Sequence, residues 1–379
     1  MERYIVKGGK RLRYGYTTGS CATAAAKAAA LMLISGKIVD SISIDTPKGW
    51  KLEIDVYGGS IKDGGASCFV VKDGGDDPDV TNGMKIYADV ALKDEMGIEI
   101  RGGEGVGRVT RKGIGIDIGK PAINKTPLKT IEEEVRGVIG EGRGAIVTIS
   151  APEGVDIAKR TFNPRLGIEG GISIIGTSGI VEPMSEDAIK ESMLLELGML
   201  KEAGAKAAVL APGNYGRDFC IQNGIDENII VKTSNYAGFM IESAAQKGFE
   251  KILWVGHIGK LVKIAGGVFN THSRVADARM ETISALCGMR GAGADVIKSI
   301  MESITTEEAV DIIIENNLSG VFEDIADRVS KKSRMYSYDQ IEVASAIFSQ
   351  KHGLLAMCPG AKDMLLELQA QRIDVDRQE

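Results

Sequence analysis

Apolar and polar residues alternate with two different rhythms along this chain, and the rhythm changes near residue 154. Before that point, short segments alternate in period two: SISIDTP (41–47), KLEIDVYGG (51–59), ASCFVVKD (66–73), KIYADVALK (85–93), GIEIRGG (97–103) and AIVTISAP (145–152). Such alternation predicts half-buried, largely antiparallel strands. Two helices interrupt them. Residues 21–33, CATAAAKAAALML, are nearly all strong helix formers with Thr17, Thr18 or Ser20 available as a cap. Residues 126–139 open with Pro127 and are rich in early glutamates.

From residue 154 onward, strand and helix patterns take turns. GISIIG (171–176) precedes a helix over 185–204, and KAAVLAP (206–212) precedes one over 215–223. NIIVKTS (228–234) precedes a helix over 236–248, and KILWVG (251–256) precedes HIGKLVKIAGG. Regular βα alternation with short links predicts a parallel, doubly wound sheet, with ligands where strand C-termini meet the following helices. From Asp277 the chain reads as mostly helical, covering the sheet and contributing a homo-oligomer interface. The polar tail, 368–379, is expected to fray. The fold class expected is therefore α/β plus α+β. An N-terminal α+β domain (1–153) is followed by a parallel-sheet, Rossmann-like domain with additional helices (154–379).

Composition narrows the function. Net charge is −6 and aromatics are 5%, which argues against a nucleic-acid partner. No apolar run suggests a membrane span, and the basic N-terminus has no apolar stretch of a secretory signal behind it. The five cysteines are scattered, without a C-x-x-C pair, so the reducing cytoplasm is the expected compartment. The 48 glycines sit singly or in pairs at the ends of apolar runs, as tight turns and ligand-lined loops require.

Three of those turns are candidate ligand loops: GTSG (176–179), PGNYG (212–216) and GHIGK (256–260). Helix-start N–H groups there suit a carboxylate, a ribose hydroxyl or a phosphate. None matches the dinucleotide or triphosphate fingerprints, and any parallel sheet also needs small residues at such turns. Residues 256–279 gather His257, Lys260, Lys263, His272, Arg274, Asp277 and Arg279 around a glycine pair. The histidine spacing fits no metal site, so proton handling or carboxylate binding is the better reading, with a solvated basic helix face as the alternative. Residues 73–83, DGGDDPDVTNG, have a calcium-loop composition without the EF-hand order; an acidic hairpin loop is the plainer reading. Arg108, Arg111 and Lys112 ride on a glycine-rich ribbon suited either to an anion or to an ordinary surface hairpin.

Taken together, these segments resemble the CbiD family. The resemblance rests on LRYGYTTGSCATAAAKAA (12–29), KDGGDDPDVTNG (72–83), GEGVGRVTRKG (103–113), PAIN (121–124), TFNPRLGIEGGISIIGTSGIVEPMS (161–185) and HIGKLVKIAGGVFNTHSRVADAR (257–279). It implies methylation of ring carbon C-1 of cobalt-precorrin-5B, giving cobalt-precorrin-6A, in anaerobic cobalamin biosynthesis. S-adenosylmethionine would be the methyl donor, and cobalt would enter only within the tetrapyrrole. On this reading Gly176, Thr177, Ser178, Gly179, Gly213, Asn214 and Gly256 line the donor pocket. Arg108, Arg111, Lys260, Lys263 and Arg279 hold substrate carboxylates, His257 or His272 handles a proton, and no protein-bound metal is expected. A nicotinamide-dependent reductase of the same pathway and a non-catalytic tetrapyrrole carrier are the competing readings.

Overall fold

A computed structural model describes residues 3–62 and 64–370, and the chain divides into two compact units, residues 1–186 and 187–379. The first is built on helix α1 (Thr18–Ser35) and a five-stranded sheet. Its strands are β1 (Tyr57–Lys62), β2 (Gly65–Val71), β3 (Lys85–Lys93), β4 (Gly97–Gly102) and β5 (Gly144–Ser150), in the order β1-β2-β3-β5-β4. All neighbours are antiparallel except β5 and β4. The period-two pattern does what it predicted: Ala66, Cys68 and Val70 of β2 and Ile86, Ala88 and Val90 of β3 are buried, while the residues between them are more exposed.

Helix α1 packs on β2 and β3 and against α2 (Lys125–Ile139). Its alanines are buried on every side, because a helix surrounded by sheet, helix and hairpin has no solvent face to make polar. By length and composition this helix is apolar enough to cross a membrane, a feature the sequence reading passed over. Its burial identifies it as the core helix of this unit.

The unit does not end at residue 153. Residues 154–186 return to it: Ile172 N donates to Gly105 O at 2.9 Å, Ile174 N to Ala122 O at 2.8 Å, and Ile180–Val181 pairs antiparallel with Gly15–Tyr16. Ile172, Ile174 and Ile180 complete the same core as Val70, Ile86 and Ile131. GISIIG is thus no strand of a parallel sheet; within it Ile172 and Ile174 form single bridges to Val106 and Ile123. The division falls at Glu186/Asp187 because these apolar residues are buried in the first core.

The second unit opens with α3 (Glu186–Glu202). There follow β6 (Ala207–Ala211), α4 (Asn214–Gln222), β7 (Ile230–Lys232), α5 (Ala237–Gln246), β8 (Lys251–His257) and α6 (Ile258–Ala265). Then come α7 (Arg279–Met289), α8 (Ala294–Glu302), α9 (Thr306–Glu315), α10 (Gly320–Tyr336), β9 (Glu342–Ser349), β10 (Gly353–Met357) and α11 (Ala361–Ala370). The sheet order is β7-β6-β8-β9-β10, parallel except for β10. Central β8 buries Ile252 through Val255 without alternation, as a strand covered on both faces must. Trp254 is wholly buried within it.

Sequence reading expected mostly helix after Asp277, and missed β9 and β10. EVASAIFS is buried on both faces and mixes small with apolar residues, so it carries no period-two signature. The tail expected to fray lies outside the described residues from 371 onward.

Candidate functional site

In the second unit the chain passes from β6 outward to β7 and then back across to β8. The helices leaving β6 and β8 therefore part in opposite directions, and the C-terminal ends of these two strands are where an open α/β sheet takes a ligand. Pro212–Gly213–Asn214 leads from β6 into α4. Gly213 sits at φ 85°, a left-handed conformation glycine adopts without cost, and nothing lies within 4 Å of where its side chain would be. Helix α4 begins at the next residue without a side-chain cap, so its first N–H groups are available to a ligand. Asn214 Oδ1 accepts from Lys232 Nζ at 3.4 Å.

Strand β8 ends at His257, whose two ring nitrogens are both engaged. Nδ1 accepts the Gly259 N–H at 3.0 Å, capping α6, and Nε2 lies 2.6 Å from Glu307 Oε1. An accepting Nδ1 leaves the proton on Nε2, donated to Glu307. Burial alone would raise the Glu307 pKa, but the His257 bond and the Gln350 N–H hold it below the usual carboxylate range. His257 is thus a neutral cap in a fixed tautomer, and its acceptor nitrogen is already occupied. Glu307, at the start of α9, was invisible to sequence reasoning. Thr305 and Glu308 mark the helix start locally, but nothing local ties Glu307 to a histidine 50 positions away.

The other residues proposed from the sequence separate clearly. Lys263 is 3% exposed and donates to Thr271 O at 3.3 Å and Ala276 O at 3.0 Å, with Asp277 3.9 Å away. It holds the 266–278 loop in place, and is not positioned to meet a substrate carboxylate. Arg279 forms a two-pronged pair with Asp277, both contacts at 2.7 Å. His272 is exposed, with Nδ1 accepting the Arg274 N–H at 3.0 Å. Lys260 is half-buried and contacts Asn235 Oδ1. Gly256 is buried in β8, where a side chain would meet Leu261.

The remaining candidates belong to the first unit. Residues 176–179 wrap the N-terminus of α1 and follow no strand of the parallel sheet, so they do not share the setting of the loops after β6 and β8. Gly179 O accepts Thr17 N and Ser20 Oγ, and Ile175 O accepts Gly19 N. Ser178 Oγ is bonded locally to Ile180, and Thr177 is exposed. Gly176 and Gly179 line a small recess with Gly19, Ser20, Ile44 and Pro127, but the carbonyls around it already satisfy the helix start. Arg108 is exposed and donates to Gly119 O at 3.0 Å; Arg111 is half-buried against Gly167.

Each aspartate of the acidic loop has a partner. Asp73 grips Arg13 with both oxygens, Asp76 accepts the Arg13 N–H at 2.6 Å, and Asp77 accepts the Met184 N–H at 2.8 Å. Asp79 pairs with buried Lys72 at 2.5 Å and accepts two bonds from Thr81. Among the described residues no group of three or more His, Cys, Asp or Glu side chains is placed to hold a metal ion.

An open, mostly parallel α/β sheet with a topological switch point between β6 and β8, joined in one chain to a separate α+β unit, defines a two-unit α/β protein. The comparisons make this specific. The CbiD family pattern matches residues 5–183 and the CbiD C-terminal domain matches 270–359. A cobalt-precorrin-5B C(1)-methyltransferase of Alkaliphilus metalliredigens is 51% identical over 374 residues, covering 98% of this chain and 99% of that protein. Proteins of the same name from Thermoanaerobacter sp. and Clostridioides difficile are 51% and 42% identical over 94% and 96% of this chain, and 98% and 99% of their own lengths. A solved cobalamin biosynthesis protein, cbiD, from Archaeoglobus fulgidus is 26% identical over 73% of this chain and 87% of that one, with a TM-score of 0.37. The chain belongs to the CbiD family.

Proposed function

We propose that this protein transfers a methyl group from S-adenosylmethionine to ring carbon C-1 of cobalt-precorrin-5B. The observation that carries the reading is identity of about half, along nearly the whole chain, to relatives bearing that activity in their names. None of the three relatives described is named as a reductase or a carrier.

The switch point of the second unit's sheet fits the donor. Gly213 leaves an open approach, and the uncapped start of α4 offers N–H groups to a carboxylate or ribose hydroxyl. Bound there, the donor supplies an electrophilic methyl group, which the ring carbon takes while sulfur keeps the electron pair. The chain's own contribution is then placement: fixing the approach line and setting charge around it. The substrate's acetate and propionate groups call for cations beside the bound ring, and the second unit gathers its basic residues in 256–279. His257 serves by fixing α6 at the end of β8, and exposed His272 is the histidine left for proton handling.

Calorimetry with S-adenosylhomocysteine and single-turnover methyl transfer test the proposal. Wild type should bind the product nucleoside. Gly213→Val, a β-branched residue forced to φ 85°, should weaken that binding tenfold or more with the circular dichroism spectrum unchanged. Absence of S-adenosylhomocysteine binding in wild type would sink the donor assignment.

A further inference from the structure

The turn after β7 carries three features that the fold does not require. Thr233 is fully buried, and its Oγ1 has no hydrogen-bond partner among the described residues. Ser234 adopts φ 50°, a left-handed conformation that non-glycine residues avoid unless the surroundings impose it. Asn235 then presents its side-chain oxygen to Lys260 of α6, and accepts Thr271 Oγ1 at 3.5 Å.

Lys260 is the unusual partner. Among the described residues no carboxylate lies within 4.0 Å of its ammonium group, which meets only the neutral Asn235 amide. Its neighbour Lys263 is a second cation, already satisfied by loop carbonyls. Burial, then Lys263, push the Lys260 pKa down, which is the signature of an ammonium lacking an anion. Position adds the decisive element. β7 and β8 flank β6 on opposite sides, so a contact from the β7 turn to α6 arches across the end of β6, beside the Gly213 loop.

We propose that Lys260, held by Asn235 across the end of β6, is the binding site for a ligand carboxylate. The inference rests on the methyl-transfer reading, which offers two sources of that chemistry: the amino-acid end of the donor, or an acetate or propionate of the tetrapyrrole. In the free protein Asn235 holds the ammonium in place without neutralising it, and an arriving carboxylate supplies the missing charge.

Lys260→Met keeps the apolar stem and removes the charge. Binding of S-adenosylhomocysteine, which has the carboxylate, and 5′-methylthioadenosine, which lacks it, is measured by calorimetry, and KM for cobalt-precorrin-5B by turnover. If the donor's carboxylate sits here, affinity for S-adenosylhomocysteine falls about 10- to 100-fold and 5′-methylthioadenosine is unaffected. If the tetrapyrrole's does, KM rises by a similar factor while both nucleosides bind as before. Asn235→Asp, which places a resident carboxylate beside Lys260, should weaken the same ligand and leave the fold intact, so the test survives a poorly folding Lys260→Met. Unchanged affinities and KM in both variants overturn the proposal. Failure of wild type to bind either nucleoside would count against the donor reading alone, with the tetrapyrrole arm still deciding the role of Lys260.

Discussion

His257 shows how much a single contact can change a residue's meaning. In the sequence it stands beside a strand end and a glycine, where a titrating base would be useful. The structure spends both of its nitrogens, one on the Gly259 N–H and one on Glu307. His257→Asn should therefore retain the cap and a near-wild-type single-turnover rate, while losing about 1 kcal/mol of stability because half-buried Glu307 loses its donor. A slowing of 100-fold or more would return the imidazole to the chemistry. Gly176 underwent the opposite change, from donor loop to packing position. At φ 145° a side chain there would stand 2.2 Å from Thr17 Oγ1. Gly176→Val should consequently lower the thermal midpoint while the folded fraction binds S-adenosylhomocysteine as wild type does. Residue types and their clustering in 256–279 were legible in the sequence. Which nitrogen was engaged, and by what, depended on Glu307, 50 positions away.

At the scale of elements, the acidic loop 73–83 is a clasp. Its four aspartates tie Lys72, Arg13 and Met184 together, so it joins the start and the end of the first unit. Sequence reasoning offered a calcium loop or a solvated hairpin because both are local readings, and the partners lie about 60 and 100 residues away. Asp79→Asn leaves the buried Lys72 ammonium uncompensated and should cost about 3 kcal/mol in urea unfolding. Acid should act in the same direction. The Arg13 hydrogen bond holds Asp73 below the usual carboxylate range; burial would raise Asp79, but Lys72 and Thr81 outweigh it. A carboxylate depressed in the folded state stabilises above its unfolded pKa of about 4, and that contribution is lost as pH falls below it. The stability gap between wild type and Asp79→Asn should accordingly narrow as pH falls below about 4. The strands and helices themselves were largely readable, because period-two alternation and alanine-rich helix formers are local signals. Strand β9 was not, since burial on both faces erases the alternation.

At the scale of the molecule, among the described residues each unit has its own main apolar core, and the first adds a small cluster of Val109, Ala122 and Ile168. Calorimetric unfolding should resolve two transitions, with Asp79→Asn lowering only one, by roughly 6–12 °C for a unit of this size. The sequence rhythm located a second unit but placed its start 33 residues early, because an apolar run such as GISIIG does not announce which core it will enter. The pairing of Gly15–Tyr16 with Ile180–Val181 extends this into time. At synthesis rates of about 5–20 residues per second, strand 15–16 waits roughly 8–33 seconds for its partner to be made. Throughout that interval the alanine-rich helix behind it lacks part of its covering. The nascent chain thus carries an exposed apolar segment from its first seconds, and a ribosome stalled before residue 180 would present it to whatever chaperone or aggregate is nearest.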